Sequence, residues 1–323
     1  MAPAIRPFEE RDYPRLAEIS AAIDADAARS PDWFRRRDRA WNPAHPRVRL
    51  VAADGADRAV GWGDIGTMWW SYHPRKLNLR LSVDPAEQGH GIGSALYERL
   101  LEACRPWDPL LVRAETRETR PRAVRFLEAR GFAEIRRRWE SCLRLDRVQL
   151  DQFAGAESRV TEQGIRLTTL AAERARRNVP LLREVFDLEM AAAQDEPGYD
   201  PSGAMSFDQY VAHEFDTPEA SPAAAFVALD GERLVGVSRL TYGAGAAPGV
   251  IHVGFTGVHP EYRGRGIAVA LKLRTIDYAR AHGYTSIRTQ NDATNAAMLH
   301  INAALGFQTE PAWCVFERRV STA

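Results

Sequence analysis

Apolar residues fall into short runs and one-turn spacings that recur along the chain. The runs Ala4–Pro7, Val48–Ala53, Val60–Gly66 and Leu77–Val83 have strand length, and Asp54-Gly55 marks a turn after the second. Ile92, Leu96, Leu100 and Cys104 then follow one another a helical turn apart, which predicts a helix with one buried face. The series returns downstream, where Ile165–Thr168, Ala225–Leu229, Leu234–Thr241 and Ile251–Val258 read as strands and Asp230-Gly231 repeats the turn. The predicted order in each copy is βααβββαβαβ, an α/β sandwich around a mixed sheet.

The recurrence has a fixed register. Placing VDPAEQGHGIGSAL from Val83 over VHPEYRGRGIAVAL from Val258 requires a shift of 175 residues, and the same shift carries Gly61 onto Gly236 and Gly131 onto Gly306. Chance matching of one short motif does not hold three landmarks to one offset. Upstream, Ile5 pairs with Ile165 at a shift of 160, so the second copy carries about fifteen extra residues before its second strand. That insertion is the expected seat of acceptor specificity. Two domains are expected, 1–150 and 165–323, joined by a polar, Gly-containing linker at 151–164, in keeping with a length of 323 residues.

Composition removes several classes of function. Lys plus Arg and Asp plus Glu number 43 each, so no overall field draws the chain to nucleic acid or to an anionic membrane. The cysteines Cys104, Cys142 and Cys314 are odd in number and far apart, which fits neither a disulfide framework nor a metal site and suits a reducing compartment. No metal is expected. The N-terminus has no apolar core of signal-peptide length, and the longest apolar run, Ala223–Leu229, is too short to span a bilayer. The expectation is a cytoplasmic protein, with monomer and homodimer both open.

Local chemistry concentrates in two Gly-rich segments, Gln88–Gly93 and Arg263–Ala268, each between a strand end and a helix start. Glycines there let successive backbone amides face one anion, and the helix dipole adds partial positive charge. Pyrophosphate is the expected ligand, with Arg263 and Arg265 adding charge-assisted contacts. A Rossmann dinucleotide site needs its glycines directly after the strand and an acidic residue ending the next strand. Four residues intervene in both copies, and Asp277, near the required distance, falls within a predicted helix.

Both segments resemble the Q/R-x-x-G-x-G/A motif that holds the coenzyme A pyrophosphate in the GNAT acyltransferase superfamily, here in a tandem two-domain form. The strand-plus-DP and strand-plus-HP turns before them match, as do the Gly-Phe pairs at Gly131 and Gly306, and the resemblance covers nearly the whole chain twice. It implies two GNAT-type domains, each with a mixed, partly splayed sheet, and acetyl-CoA as donor. Its loops would hold the donor through Gln88, Gly89, His90, Gly91, Ile92 and Gly93 in one copy and Arg263, Gly264, Arg265, Gly266, Ile267 and Ala268 in the other. It further implies that the backbone amides of Val83 and Val258, at the ends of the splayed strands, meet the thioester carbonyl as it gains charge.

The resemblance also distinguishes the copies. Six residues before the strand-ending Val, a branch of the family carries its general base; here that position is His252 in the second copy and Leu77 in the first. An imidazole, with an ordinary pKa of about 6.5, suits proton abstraction near neutrality, and Leu cannot perform it. An Asn that contacts coenzyme A in relatives corresponds to Asn295, against Arg120 in the first copy. The Tyr that protonates the leaving thiolate corresponds to Asn302, against Leu127. A thiol with a pKa of about 8.5 leaves tolerably without a positioned acid, so the departure at Asn302 is compatible with transfer. The expected reaction is direct acyl transfer in the second copy to a primary amine of a small molecule, the first copy being degenerate; a non-catalytic acyl-CoA-binding protein is the alternative. Residues 184–219 hold ten carboxylates and no Lys or Arg, which predicts an acidic rim favouring a cationic amine. Trp69, Trp70 and Tyr72 read as packing between the halves.

Overall fold

A helix lies directly on Gly61 and on Gly236, which explains why this landmark of the repeat is glycine in both copies. A Cβ at Gly61 would stand 3.1 Å from Ile92 Cγ2, and one at Gly236 would stand 2.9 Å from Ile267 Cγ2 and 3.1 Å from Leu271 Cδ1. Any side chain there would lever the helix off the sheet. In the computed structural model, residues 4–25, 28–68, 72–177, 181–194, 205–242 and 249–320 are described.

The first half runs β1 (Ala4–Pro7), α1 (Tyr13–Ile23), α2 (Pro31–Arg39), β2 (Arg47–Ala53), β3 (Ala59–Thr67), β4 (Lys76–Val83), α3 (Ile92–Cys104), β5 (Leu111–Arg117), α4 (Pro121–Glu128) and β6 (Ala133–Arg144). This is the order expected from the sequence. The segment at 151–164 is folded: after a 3-10 turn it forms α5 (Ala156–Thr161), which packs on a later helix through Glu157 and Arg274 at 2.8 Å. The second half repeats the plan as β7 (Ile165–Thr169), α6 (Leu170–Arg177), α7 (Leu181–Ala193), α8 (Phe207–Glu214), β8 (Ala220–Asp230), β9 (Arg233–Tyr242), β10 (Val250–Val258), α9 (Ile267–Ala281), β11 (Ser286–Asp292), α10 (Ala296–Ala304) and β12 (Gln308–Arg319). Helix α8, which the 175-residue offset sets against α2, is begun by Ser206, whose side chain accepts from the Gln209 amide while the Gln209 side chain accepts from the Ser206 amide.

These strands all join one sheet, in the order β1-β2-β3-β4-β5-β12-β6-β11-β10-β9-β8-β7. Among the described residues only β4 with β5 and β10 with β11 are parallel, so the sheet is mixed as expected. The final strands are exchanged. β12 pairs with β5 of the first half, with Phe316 opposite Ala114, and β6 pairs with β11 of the second, with Leu143 opposite Ile287. β12 also pairs with β6, and that seam makes the two half-sheets continuous. The cores follow the exchange: Cys314 and Phe316 pack with Leu100, Val112 and Phe132 of the first half, and Leu143 packs with Ile251, Leu273 and Ile287 of the second. Among the described residues no helix is long and apolar enough to cross a membrane.

Candidate active site

The sheet opens at two forks. β10 runs parallel to β11 only from Val250 to His252, and β4 runs parallel to β5 only from Lys76 to Leu79. Beyond those points each strand keeps its antiparallel neighbour but loses its parallel one. His259 donates its amide to Val235 O, and Asp84 donates to Val60 O, both at 2.9 Å. Because successive amides of a strand point to opposite edges, the N–H groups of Val258 and Val83 are turned toward the side from which the neighbour has departed. The forks are unequal. In repeat register His252 matches Leu77, so the second fork opens two residues earlier, and its strand bulges between Val253 and Phe255, where Gly254 is left over, while β4 keeps an unbroken register with β3. Gly254 leaves no room for a side chain, since a Cβ would lie 2.7 Å from Arg239 Nη1.

At the end of each fork the chain turns into the Gly-rich loop. Gly264 and Gly266 have φ of 76° and 81°, and Gly89 and Gly91 have φ of 93° and 82°, conformations that side chains rarely adopt. The first helical amide to find a carbonyl is that of Ala270, which donates to Gly266 O; its counterpart is Ala95, which donates to Gly91 O. Among the described residues the amides of Gly264 to Val269 have no backbone acceptor, and Arg263 to Gly266 are exposed, so the second loop fits a diphosphate. Both loop arginines also make contacts within the chain. Arg263 Nε donates to Val258 O at 3.3 Å, as the Gln88 amide nitrogen donates to Val83 O at 3.1 Å, so the first motif residue ties the loop to the strand end. Arg265 folds back over the Tyr262 ring, 4.7 Å from its centroid, and donates to Glu261 O.

Asn295 caps α10, its Oδ1 accepting the Met298 amide at 3.2 Å. Asn302 is 2% exposed; its amide nitrogen donates to Asn291 Oδ1 at 2.7 Å, and its own Oδ1 is buried without a partner among the described residues. Cys314 lies on β12 in the core of the first half, away from the second fork, and burial pushes its thiol pKa up, so it is no nucleophile for this site. Trp69 and Trp70 lie outside the described residues; Tyr72 stacks on His45 with ring centroids 3.8 Å apart, a packing contact.

In the first half α4 comes close to the start of α3, although Gly89, His90 and Gly91 are exposed as their counterparts are. A Cβ added to Gly93 would stand 3.6 Å from the Phe126 ring and 3.7 Å from Val83 Cγ2, so Phe126 of α4 lies close to the loop and strand end. The Arg130 guanidinium sits 3.6 Å from the Phe126 centroid and donates to Ser94 Oγ at 2.7 Å, bridging α4 to α3. The repeat offset places Ile301, Leu305 and Val269 at the positions of Phe126, Arg130 and Ser94, and none of these can form that bridge. Leu77, in the place of His252, is fully buried.

His252 is half-buried and opens on a cleft of about 520 Å³ between the halves. Trp33, Arg36, Arg37 and Arg39 of α2 form one wall; His213 and Glu214 of α8 belong to the other. Of the acidic stretch, Glu214, Asp216 and Glu219 line the cleft, and several of its carboxylates are paired. Glu184 pairs with Arg177, Asp187 with Arg183, Glu189 and Glu214 with Arg239, and Glu219 with Arg36. Asp195, Glu196 and Asp200 lie outside the described residues. The cations that neutralise this stretch come from elsewhere in the chain, Arg36 from the first half.

Two matches to the acetyltransferase (GNAT) family model cover residues 8–132 and 183–307, offset by the same 175 residues as the repeat. The chain belongs to the GNAT acetyltransferase family. It is similar to the mycothiol acetyltransferase of Clavibacter sepedonicus, at 28% identity over 93% of this chain and 95% of that protein. It is similar also to that of a Nocardioides species, at 24% identity over 79% of this chain and 90% of that protein. Among solved structures, a tandem GNAT protein from the clavulanic acid biosynthesis pathway superposes with a TM-score of 0.75 over 99% of both chains at 20% identity. A GCN5-related N-acetyltransferase from Sphaerobacter thermophilus gives 0.68 over 99% of this chain and 96% of its own at 19%. The tandem GNAT fold thus extends over the whole chain, including both forks.

Proposed function

We propose that the second half of this tandem GNAT protein transfers an acetyl group from acetyl-CoA to a primary amine of a small molecule. The observation that carries the reading is the inequality of the forks. The second opens earlier, carries a bulge and has His252 at its vertex beside a cleft, whereas the first has Leu77 in that place and Phe126 of α4 close to its loop.

The residues divide the work. Backbone amides from Gly264 to Ala268 bind the donor's diphosphate, with Asn295 at the start of α10 a further donor contact. The Val258 amide donates to the thioester oxygen as charge builds there. His252 takes the proton of the acceptor amine, directly or across a water, as nitrogen bonds to the acyl carbon and the carbon–sulfur bond breaks. Asn302, where many relatives carry Tyr, is buried with its amide nitrogen bonded to Asn291 and cannot give the departing sulfur a proton; the thiolate is protonated from solvent. The first half serves as a wall of the acceptor cleft.

Thiol release from acetyl-CoA, followed over a panel of small amines, tests this. Amine-dependent release that survives Gly91→Ala in the first loop and is lost with Gly266→Ala in the second is the expected result. Tight coenzyme A binding without turnover on a broad panel would instead assign a binding protein.

A further inference from the structure

The cleft beside His252 carries an excess of guanidinium groups, and the first half supplies them. Arg29, Arg36, Arg37 and Arg39 line it, against Glu214, Asp216 and Glu219. Of these carboxylates Glu219 is engaged by Arg36, and Glu214 by Arg239 from outside the lining, at 2.7 Å. Among the described lining residues the balance is positive. The arginines are also organised. The Trp33 ring lies between Arg29 and Arg37 in sequence and holds both, their guanidinium carbons 5.4 and 4.9 Å from its centroid. Arg37, together with Trp33 and His213, also lines a second hollow whose wall includes Arg80 of β4.

Resting on the acyl-transfer reading above, we infer that the acceptor carries an anionic group, a carboxylate or a phosphate, that Arg37 and Arg39 grip while its amine lies at His252. Guanidinium groups suit this partner because they present paired donors to its oxygens. Electrostatics agree. Burial first, then the neighbouring Arg80, Arg47 and Arg29, lower the pKa of Arg37 to about 10 against the opposing charge of Glu214. His213 is pushed down to about 4 by burial and then by Arg37. A fold that gathers like charges in a half-buried cleft is relieved by an incoming anion. The anion site also gives the degenerate half a role, since it reads the acceptor while the other half performs the chemistry.

The test compares acceptors matched except for the anion, glucosamine with glucosamine 6-phosphate and β-alaninamide with β-alanine. In each pair kcat/KM for the anionic member should exceed that for its neutral partner by about 10- to 100-fold, the scale of a charge-assisted contact. In Arg37→Gln and in the surface variant Arg39→Gln that ratio should fall toward one, through KM rather than kcat. Calorimetric binding of glucosamine 6-phosphate and glucosamine to the same proteins separates this inference from catalysis. Preference for the phosphate, lost in the variants, supports the anion site even where no amine is acetylated. Equal kcat/KM and equal binding within both pairs, or a preference unchanged in both variants, overturns it and leaves acyl transfer standing. Should Arg37→Gln fail to fold, as judged by circular dichroism, Arg39→Gln decides alone.

Discussion

Asp64 and Arg239 occupy the same position of the repeat, 175 residues apart, and each centres a buried ion cluster of opposite sense. Asp64 receives Arg47 and Arg49, both at 3.1 Å; Arg239 reaches Glu189 at 2.8 Å and Glu214 at 2.7 Å. The two residues are 6% and 5% exposed. In the first half the cluster is extended by Asp38 and by the ring of Trp41 under Arg47, and it fills the space beside the fork. In the second half the cluster backs the bulge at Gly254.

Removing Arg239 tests how far that backing matters. Arg239→Ala leaves Glu189 buried without its counter-charge, and the expected loss of stability is about 3–5 kcal/mol. Burial already pushes the Glu189 carboxyl pKa up. A carboxyl whose folded pKa lies above its unfolded one contributes stability that is lost as pH rises, so the variant should melt nearer to wild type at pH 5 than at pH 8. Thermal unfolding at the two pH values reads this, and a pH-independent deficit would contradict it.

The loop glycines predict an unequal pair of variants. Gly266→Ala forces a side chain into a left-handed conformation, at about 1–2 kcal/mol, and tilts the amides that face the diphosphate. Acetyl-CoA affinity should fall by about tenfold on that scale. Gly91→Ala strains the first half equally and should leave affinity unchanged if the donor occupies the second fork alone. Calorimetric titration of both variants distinguishes a single donor site from two.

For His252→Ala the expectation is a fall in kcat of about 10² or more, with coenzyme A binding retained. The acid limb of the pH–rate profile should disappear with the imidazole. A variant that keeps both its rate and its limb would assign the base elsewhere in the cleft.

The exchange of β6 and β12 predicts that neither half is stable alone. A fragment ending near residue 150 would expose the edge of β5 and carry an orphan β6, both open to aggregation. Co-expression of 1–150 with 151–323 should return a soluble one-to-one complex, and separate expression should not. Two well-behaved monomeric fragments would show that the pairing is dispensable.

Much of this was readable from one sequence, and the reasons are local. Runs of strand length, the one-turn spacing in α3 and the shared offset of Gly61 with Gly236 each report a nearby physical demand, ending in the contact of glycine with Ile92 or Ile267. The fork came through resemblance, since the loop motif marks where it ends. The strand exchange was not readable, because an alternating pattern specifies that β12 is a strand and says nothing of whether β5 or β11 will be its neighbour. The pairing of the acidic stretch was hidden for a similar reason: composition counts Glu189, Glu214 and Glu219 but does not show that Arg239 and Arg36 meet them. The arginines of residues 15–49 are plain in the sequence, but their place beside His252 is not, because more than 200 residues separate Arg37 from His252.

The route of the chain also bears on its synthesis. Since β12 lies between β5 and β6, the N-terminal region cannot complete its sheet until residues 308–319 have left the ribosomal tunnel. Until then the nascent polypeptide holds two unsatisfied strand edges. Those edges therefore stay open throughout synthesis of residues 1–307.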